Sequence, residues 1–224
     1  MKVYDILIAL SVPILLGFGF VIAKPAMQYF PPYLLMGLRF TIPALILVWF
    51  FPVPKGLFVD LFKVSFIGST LQYGLTYTGL SIIDASSAIL LIQLEVPFGI
   101  IIAFFLLKEI PRIKNVIGLV IAFVGVFILT GAPNLEGKFI GVLLTLAGAF
   151  TWSLGAVMAK PLSKKIGAFA LMTWLCVFSG PILILISIIF NGNPVQYILS
   201  ANINSWLTVI YLALFMQPIA YGAW

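Results

Sequence analysis

The stretch from Ala85 to Leu107, ASSAILLIQLEVPFGIIIAFFLL, limits what this chain can become more than any other. At about 1.5 Å of rise per residue it makes roughly 34 Å of helix, enough to cross the hydrocarbon core of a bilayer. Asp84 stands where an N-cap would, and Lys108-Glu109 followed by Pro111 closes the run. Glu95 then falls about 16 Å below the helix start, near the membrane midplane. An ionised carboxyl at that depth costs about 2.5–3.5 kcal/mol unless it faces other helices or water. Glu95 is therefore a candidate substrate-binding or coupling residue. The plainer reading is a neutral carboxyl that hydrogen-bonds a neighbouring carbonyl and only packs helices.

With 63% hydrophobic and 8% charged residues and a mean hydropathy of +1.23, the chain has the composition of an integral membrane protein. Its net charge of +6 comes from basic residues scattered between apolar segments, as topology control requires. No basic cluster with interleaved aromatics points to nucleic acid. One cysteine, Cys176, excludes an internal disulfide, and the absence of histidine excludes the usual zinc spacings. No cofactor or metal is expected.

Apolar runs recur at Ile6–Ala23, Tyr33–Phe51, Val64–Leu80, Ala85–Leu107, Val116–Ala132, Phe139–Ala159, Ile166–Phe190 and Trp206–Trp224, giving about eight spans. The first follows a single lysine and reads as a span, not as a cleaved signal peptide. The punctuation between runs is chemical: Lys24-Pro25, Pro31-Pro32, Pro52 to Lys55, Asp84, Lys108 to Lys114, Lys160-Pro161 and Asn191 to Pro194 are expected to start or end helices. If the N-terminus is cytoplasmic, Lys2, Lys55, Lys63, Lys108, Arg112, Lys114, Lys160, Lys164 and Lys165 fall on the inner side, against Lys24 and Lys138 outside. This bias orients the chain with its N-terminus in the cytoplasm, in the cell membrane.

The sequence repeats itself. Leu16-Gly-Phe-Gly19-Phe-Val-Ile-Ala-Lys24-Pro25 matches Trp152-Ser-Leu-Gly155-Ala-Val-Met-Ala-Lys160-Pro161, Leu71-Gln72 with Tyr77 is echoed by Met216-Gln217 with Tyr221, and Pro43 by Pro181. Spans 1, 2 and 3 thus correspond to spans 6, 7 and 8. Five spans separate the copies, so the second enters the membrane from the opposite face, which makes an inverted-topology repeat. The chain stops at Trp224 inside an apolar run, and the second copy is expected to be incomplete, with three helices of five.

The phrase Pro31-Pro32-Tyr-Leu-Leu-Met-Gly-Leu-Arg39-Phe40, the Gly-x-x-x-x-Lys end of span 1, the Leu-Lys-Glu109 end of span 4, Gly118 to Gly125 of span 5 and Tyr221-Gly222-Ala-Trp224 resemble the EamA family of the drug/metabolite transporter superfamily. Within it, the chain is most similar to the O-acetylserine/cysteine exporter type. The resemblance implies an all-α integral membrane protein with two inverted five-helix repeats and export of small metabolites. It divides the chain into a first EamA-like repeat over 1–132 and a second, incomplete one over 137–224.

Other polar positions join Glu95 as candidates. Arg39 lies roughly 9 Å below the outer surface, where it can snorkel outward, pair with Glu95 or hold a substrate carboxylate. Gln72/Thr76 and Tyr73/Tyr77 form i, i+4 pairs on span 3 that line a cavity or glue helices, and Gln217 and Tyr221 mirror them. Trp152 lies too deep for an interfacial aromatic belt and is a candidate cavity wall. The candidate substrate-binding or coupling set is Glu95, Arg39, Gln72, Tyr77, Trp152 and Tyr221. Small residues in spans 5 and 6, Gly118, Ala122, Gly125, Gly141 and Gly148 among them, permit close helix approach, inside one chain or in a homodimer.

The leading reading is a secondary transporter that exports a small polar or amphipathic metabolite by alternating access. No nucleotide-binding loop is present, which leaves proton or ion coupling, or exchange. The alternatives are a non-transporting truncated remnant or membrane assembly protein, and an intramembrane enzyme. The last would need a nucleophile with a base, and the chain has no histidine and no partner for Cys176 in sequence.

Overall fold

The computed structural model describes residues 3–130 and 137–217, and the side chains of 14–128 and 137–217. All regular structure among the described residues is helical: α1 (Val3–Ala26), α2 (Pro32–Leu47), α3 (Phe58–Ser65), α4 (Gln72–Ile82), α5 (Ala85–Ile92), α6 (Glu95–Leu107), α7 (Ile113–Thr130), α8 (Phe139–Ile166), α9 (Ala168–Asn191), α10 (Pro194–Ser200) and α11 (Ile203–Ile210). A π-helical segment, Phe66–Leu71, joins α3 to α4, and a second, Tyr211–Met216, continues α11. Among the described residues Ala85–Leu107, Phe139–Ile166 and Ala168–Asn191 are long and apolar enough to cross a membrane, and Ile14–Ala26, Pro32–Leu47 and Ile113–Ile128 are shorter apolar helices. The axis of α10 is bent 111° from the helix that begins at Ile203.

Two helices run past the prolines expected to end them. Pro25 lies inside the last turn of α1, which runs on to Ala26. Lys160-Pro161 does not end α8 either, which continues to Ile166. Proline removes one N–H and crowds the carbonyl four residues back, yet α8 continues through Pro161 for about another turn and a half. It stops where Lys164 and Lys165 meet the negative end of the helix dipole and Gly167 takes φ +81°, a conformation glycine adopts without a steric penalty. The expected span Ala85–Leu107 stands as one apolar helix long enough to cross a membrane, with its hydrogen bonding locally tightened at Gln93-Leu94, between α5 and α6. Pro97 is the cause: its ring disfavours the helical position of the Gln93 carbonyl, and Leu94 N–H and Val96 N–H turn instead to the i−3 carbonyls of Leu91 and Gln93, at 3.1 and 3.3 Å.

The chain forms two compact units, Met1–Phe62 with Leu162–Trp224, and Lys63–Pro161. In the first, α2 and α9 run antiparallel in backbone contact. A Cβ on Gly37 would lie 3.0 Å from Ile184 N, and one on Gly180 would lie 2.9 Å from Thr41 N. Aromatic contacts complete this unit: Phe30 sets its edge against Trp206 at 5.3 Å, Tyr33 stacks on Phe190 at 6.1 Å, and Phe178 meets Phe58 at 4.8 Å. Trp174 donates its indole N–H to the Pro52 carbonyl at 3.2 Å and fastens the segment after α2. On the other side of this unit Tyr211 donates to the Leu15 carbonyl at 3.1 Å and ties the second π-helical segment to α1.

In the second unit α8 is the ruler against which the first π-helical segment and α4 are laid. A Cβ on Gly148 would lie 3.0 Å from Thr76 N, one on Gly155 would lie 2.9 Å from Gly68 N, and one on Gly79 would lie 2.9 Å from Thr145 N. Glycine is needed at these places because backbone meets backbone, which is how helices associate where lipid supplies no hydrophobic drive. α5 begins with the Asp84 carboxylate accepting from Ser87 N–H at 2.8 Å, the N-cap expected from the sequence.

Candidate functional site

The register of α8 sets the height of each polar group in the second unit. Gly148 faces Thr76 and Gly155 faces Gly68, so Ser153, between them, stands level with about Thr70. Its hydroxyl donates to the Glu95 backbone carbonyl at 2.6 Å and to the Ala149 carbonyl at 2.9 Å. The first turn of α6 therefore lies at the height of the first π-helical segment. Two departures from regular helix, one in each of two neighbouring spans, meet at one depth.

Buried polar atoms collect there. Ser69 and Thr70 are each 1% exposed and Gln72 is 4% exposed, yet Ser69 Oγ, Thr70 Oγ1 and Gln72 Oε1 have no hydrogen-bond partner. Elsewhere helical threonines donate back to the carbonyl four residues earlier, as Thr78, Thr145, Thr173 and Thr208 do at 2.7–3.0 Å. The π-helical geometry at Ser69 and Thr70 widens the turn, and neither hydroxyl finds a backbone carbonyl. The Gln72 amide spends its N–H on Thr76 Oγ1 at 3.4 Å, which leaves its oxygen open. Each such atom costs about 1–3 kcal/mol when buried and unfilled.

The predicted residues divide between the units. Gln72, Tyr77, Glu95 and Trp152 all belong to the second. Gln72 and Tyr77 are buried on α4, with the Tyr77 ring 6.0 Å from Tyr73, while Glu95 and Trp152 are half-buried. Arg39 belongs to the first unit and is fully buried, so it does not snorkel to the outer surface. Its guanidinium donates to Gln217 Oε1 at 3.0 Å and stands 5.7 Å from the centre of the Phe40 ring. The Gln217 amide in turn donates to Cys176 Sγ at 3.8 Å. Tyr221 lies outside the described residues. Ser69, Thr70 and Ser153 were not singled out from the sequence, where short hydroxyl residues in an apolar run carry no distinguishing signal. Pro97, four residues after Gln93, is the sequence signal for the irregular turn.

No group of histidine, cysteine or carboxylate side chains able to hold a metal occurs among the described residues. The fold defines a multi-pass membrane protein whose apolar spans enclose polar groups at mid-height. A family model described as the EamA-like transporter family matches residues 4–131 and again 139–224. A "Probable amino-acid metabolite efflux pump" of Salmonella typhimurium is 28% identical, over 98% of this chain and 76% of that protein. The "Uncharacterized transporter YetK" of Bacillus subtilis is 30% identical, over 94% of this chain and 67% of its own. A solved crystal structure shares the fold, with a TM-score of 0.68, 20% identity and coverage of 100% of this chain and 78% of that one. The chain belongs to the EamA-like transporter family. It is a membrane transporter of small molecules and not an enzyme.

Proposed function

We propose that this chain exports a small amino-acid-like or otherwise polar metabolite across the cytoplasmic membrane by alternating access between two inverted repeats, 1–132 and 137–224, with its N-terminus in the cytoplasm. The observation that carries the reading is the meeting, at one height on α8, of the irregular turn at Gln93-Leu94 and a π-helical segment bearing unfilled buried polar atoms. Irregular helical backbone at membrane depth is tolerated only where it lines a cavity or is covered by protein, and transporters place substrate sites at such irregularities. The relative named as a probable amino-acid metabolite efflux pump supports the substrate class and the outward direction.

Glu95, in the first turn of α6, is the residue proposed to couple transport to protons. A carboxyl there can take a proton from one side and release it to the other as substrate comes and goes. In proteoliposomes containing the whole chain and an imposed pH gradient, labelled amino acids should accumulate against their own gradient. Glu95→Gln should keep exchange and lose proton-driven accumulation. Accumulation that is the same in both proteins would remove Glu95 from coupling.

A further inference from the structure

The two π-helical segments are alike in a way that bears on what the site binds. Each is six residues long, Phe66–Leu71 and Tyr211–Met216, and each is followed at once by a buried glutamine, Gln72 and Gln217. Each also packs on a glycine of the Gly-x-x-x-x-Lys-Pro repeat: Gly155 meets Gly68, and Gly19 meets Leu212 and Met216. The two glutamines therefore occupy the same place in the same local build, one in each unit.

They differ in what fills them. Gln217 Oε1 accepts from the guanidinium of Arg39 at 3.0 Å, a cation supplied by the chain itself. Gln72 Oε1 has no donor among the described residues, and Ser69 Oγ, three residues earlier on the same face, has no partner. The carboxyl-bearing residue Glu95 enters at this height. Of the basic residues of this unit, Lys108, Arg112 and Lys138 stand between helices, Lys63 in the last turn of α3 and Lys114 in the first turn of α7, and Lys160, inside α8, pairs with Glu109 at 2.7 Å.

We propose that Gln72, with the hydroxyl of Ser69 one turn before it, binds the ammonium group of the transported molecule, which takes the place at Gln72 that Arg39 takes at Gln217. An ammonium carries three N–H donors and no acceptor, and it suits a place with open, buried acceptor oxygens. The substrate class is then primary amines, amino acids included, with the amine and not the carboxylate as the group read by this unit. The proposal rests on the transport reading above.

The test uses the whole chain in proteoliposomes and counterflow of each labelled common amino acid. For an amino acid that exchanges, its decarboxylated amine and its deaminated acid are added as competitors. The amine should compete and the acid should not. Gln72→Leu should raise the half-saturating concentration about tenfold, the loss of one hydrogen bond to a charged group. Gln72→Glu should lower it, and this gain decides the matter even if the leucine variant fails to fold. Competition by the acid alone, or equal half-saturation in wild type and Gln72→Glu, would overturn the proposal while leaving amino-acid transport standing. Failure of every amino acid to exchange would overturn the transport reading and this one together.

Discussion

At the residue scale, Arg39 shows how a membrane helix carries a charge that never reaches water. Its guanidinium is fully buried and satisfies Gln217 Oε1, so removing either partner leaves a polar atom stranded in an apolar interior. Arg39→Leu should destabilise the protein by about 1–3 kcal/mol, seen as a lower thermal unfolding midpoint in detergent. Gln217→Leu on top of it removes the stranded oxygen and should recover part of the loss, a coupling that a double-mutant cycle measures directly. A double variant no more stable than Arg39→Leu alone would mean that the arginine acts through its packing. The depth of Arg39 is legible from its place in the run after Tyr33. Its partner is not, because Gln217 lies far along the chain, and only the echo of Leu71-Gln72 in Met216-Gln217 hints that it matters.

At the scale of elements, glycine decides where helices touch. A Cβ on Gly155 would meet the backbone of Gly68, which cannot swing aside as a side chain can, while one on Gly118 of α7 would meet nothing within 4 Å. Gly155→Val should therefore abolish the yield of folded, monodisperse protein, and Gly118→Val should leave it unchanged. Loss of folded protein with Gly118→Val would show that a partner, such as a second copy of the chain, covers α7. The apolar runs and the Asp84 cap follow from hydropathy and capping chemistry, but the π-helical segments do not. Phe66–Leu71 has the composition of an ordinary helical turn, and its extra width accompanies the close approach of Gly68 to Gly155, a long-range contact. The irregular turn at Gln93-Leu94 was available in the sequence through Pro97, whereas hydropathy alone shows only the single span.

At the scale of the whole molecule, the repeat written in the sequence and the packing of the chain divide it differently. The matched stretches are consecutive, whereas each compact unit draws on both of them, so a search for internal similarity finds the repeats without revealing which helices pack together. The proposed orientation rests on the basic residues, nine on one side and two on the other, and membrane insertion retains such residues in the cytoplasm. The sole native thiol, Cys176, is fully buried, so single cysteines placed elsewhere report on their own exposure. Asp60, Lys114 and Asn204 are exposed, the first two in the first turns of α3 and α7 on the proposed inner side and the third in the first turn of α11 on the outer side. A membrane-impermeant maleimide applied to intact cells should label Asn204→Cys at once, and Asp60→Cys and Lys114→Cys only after permeabilisation. Outside labelling of Lys114→Cys with protection of Asn204→Cys would reverse the orientation, and the direction of export inferred from it would have to be reversed as well. Labelling of Asp60→Cys and Lys114→Cys on opposite sides would instead change the number of crossings between them, and with it the inverted relation of the two repeats on which alternating access depends.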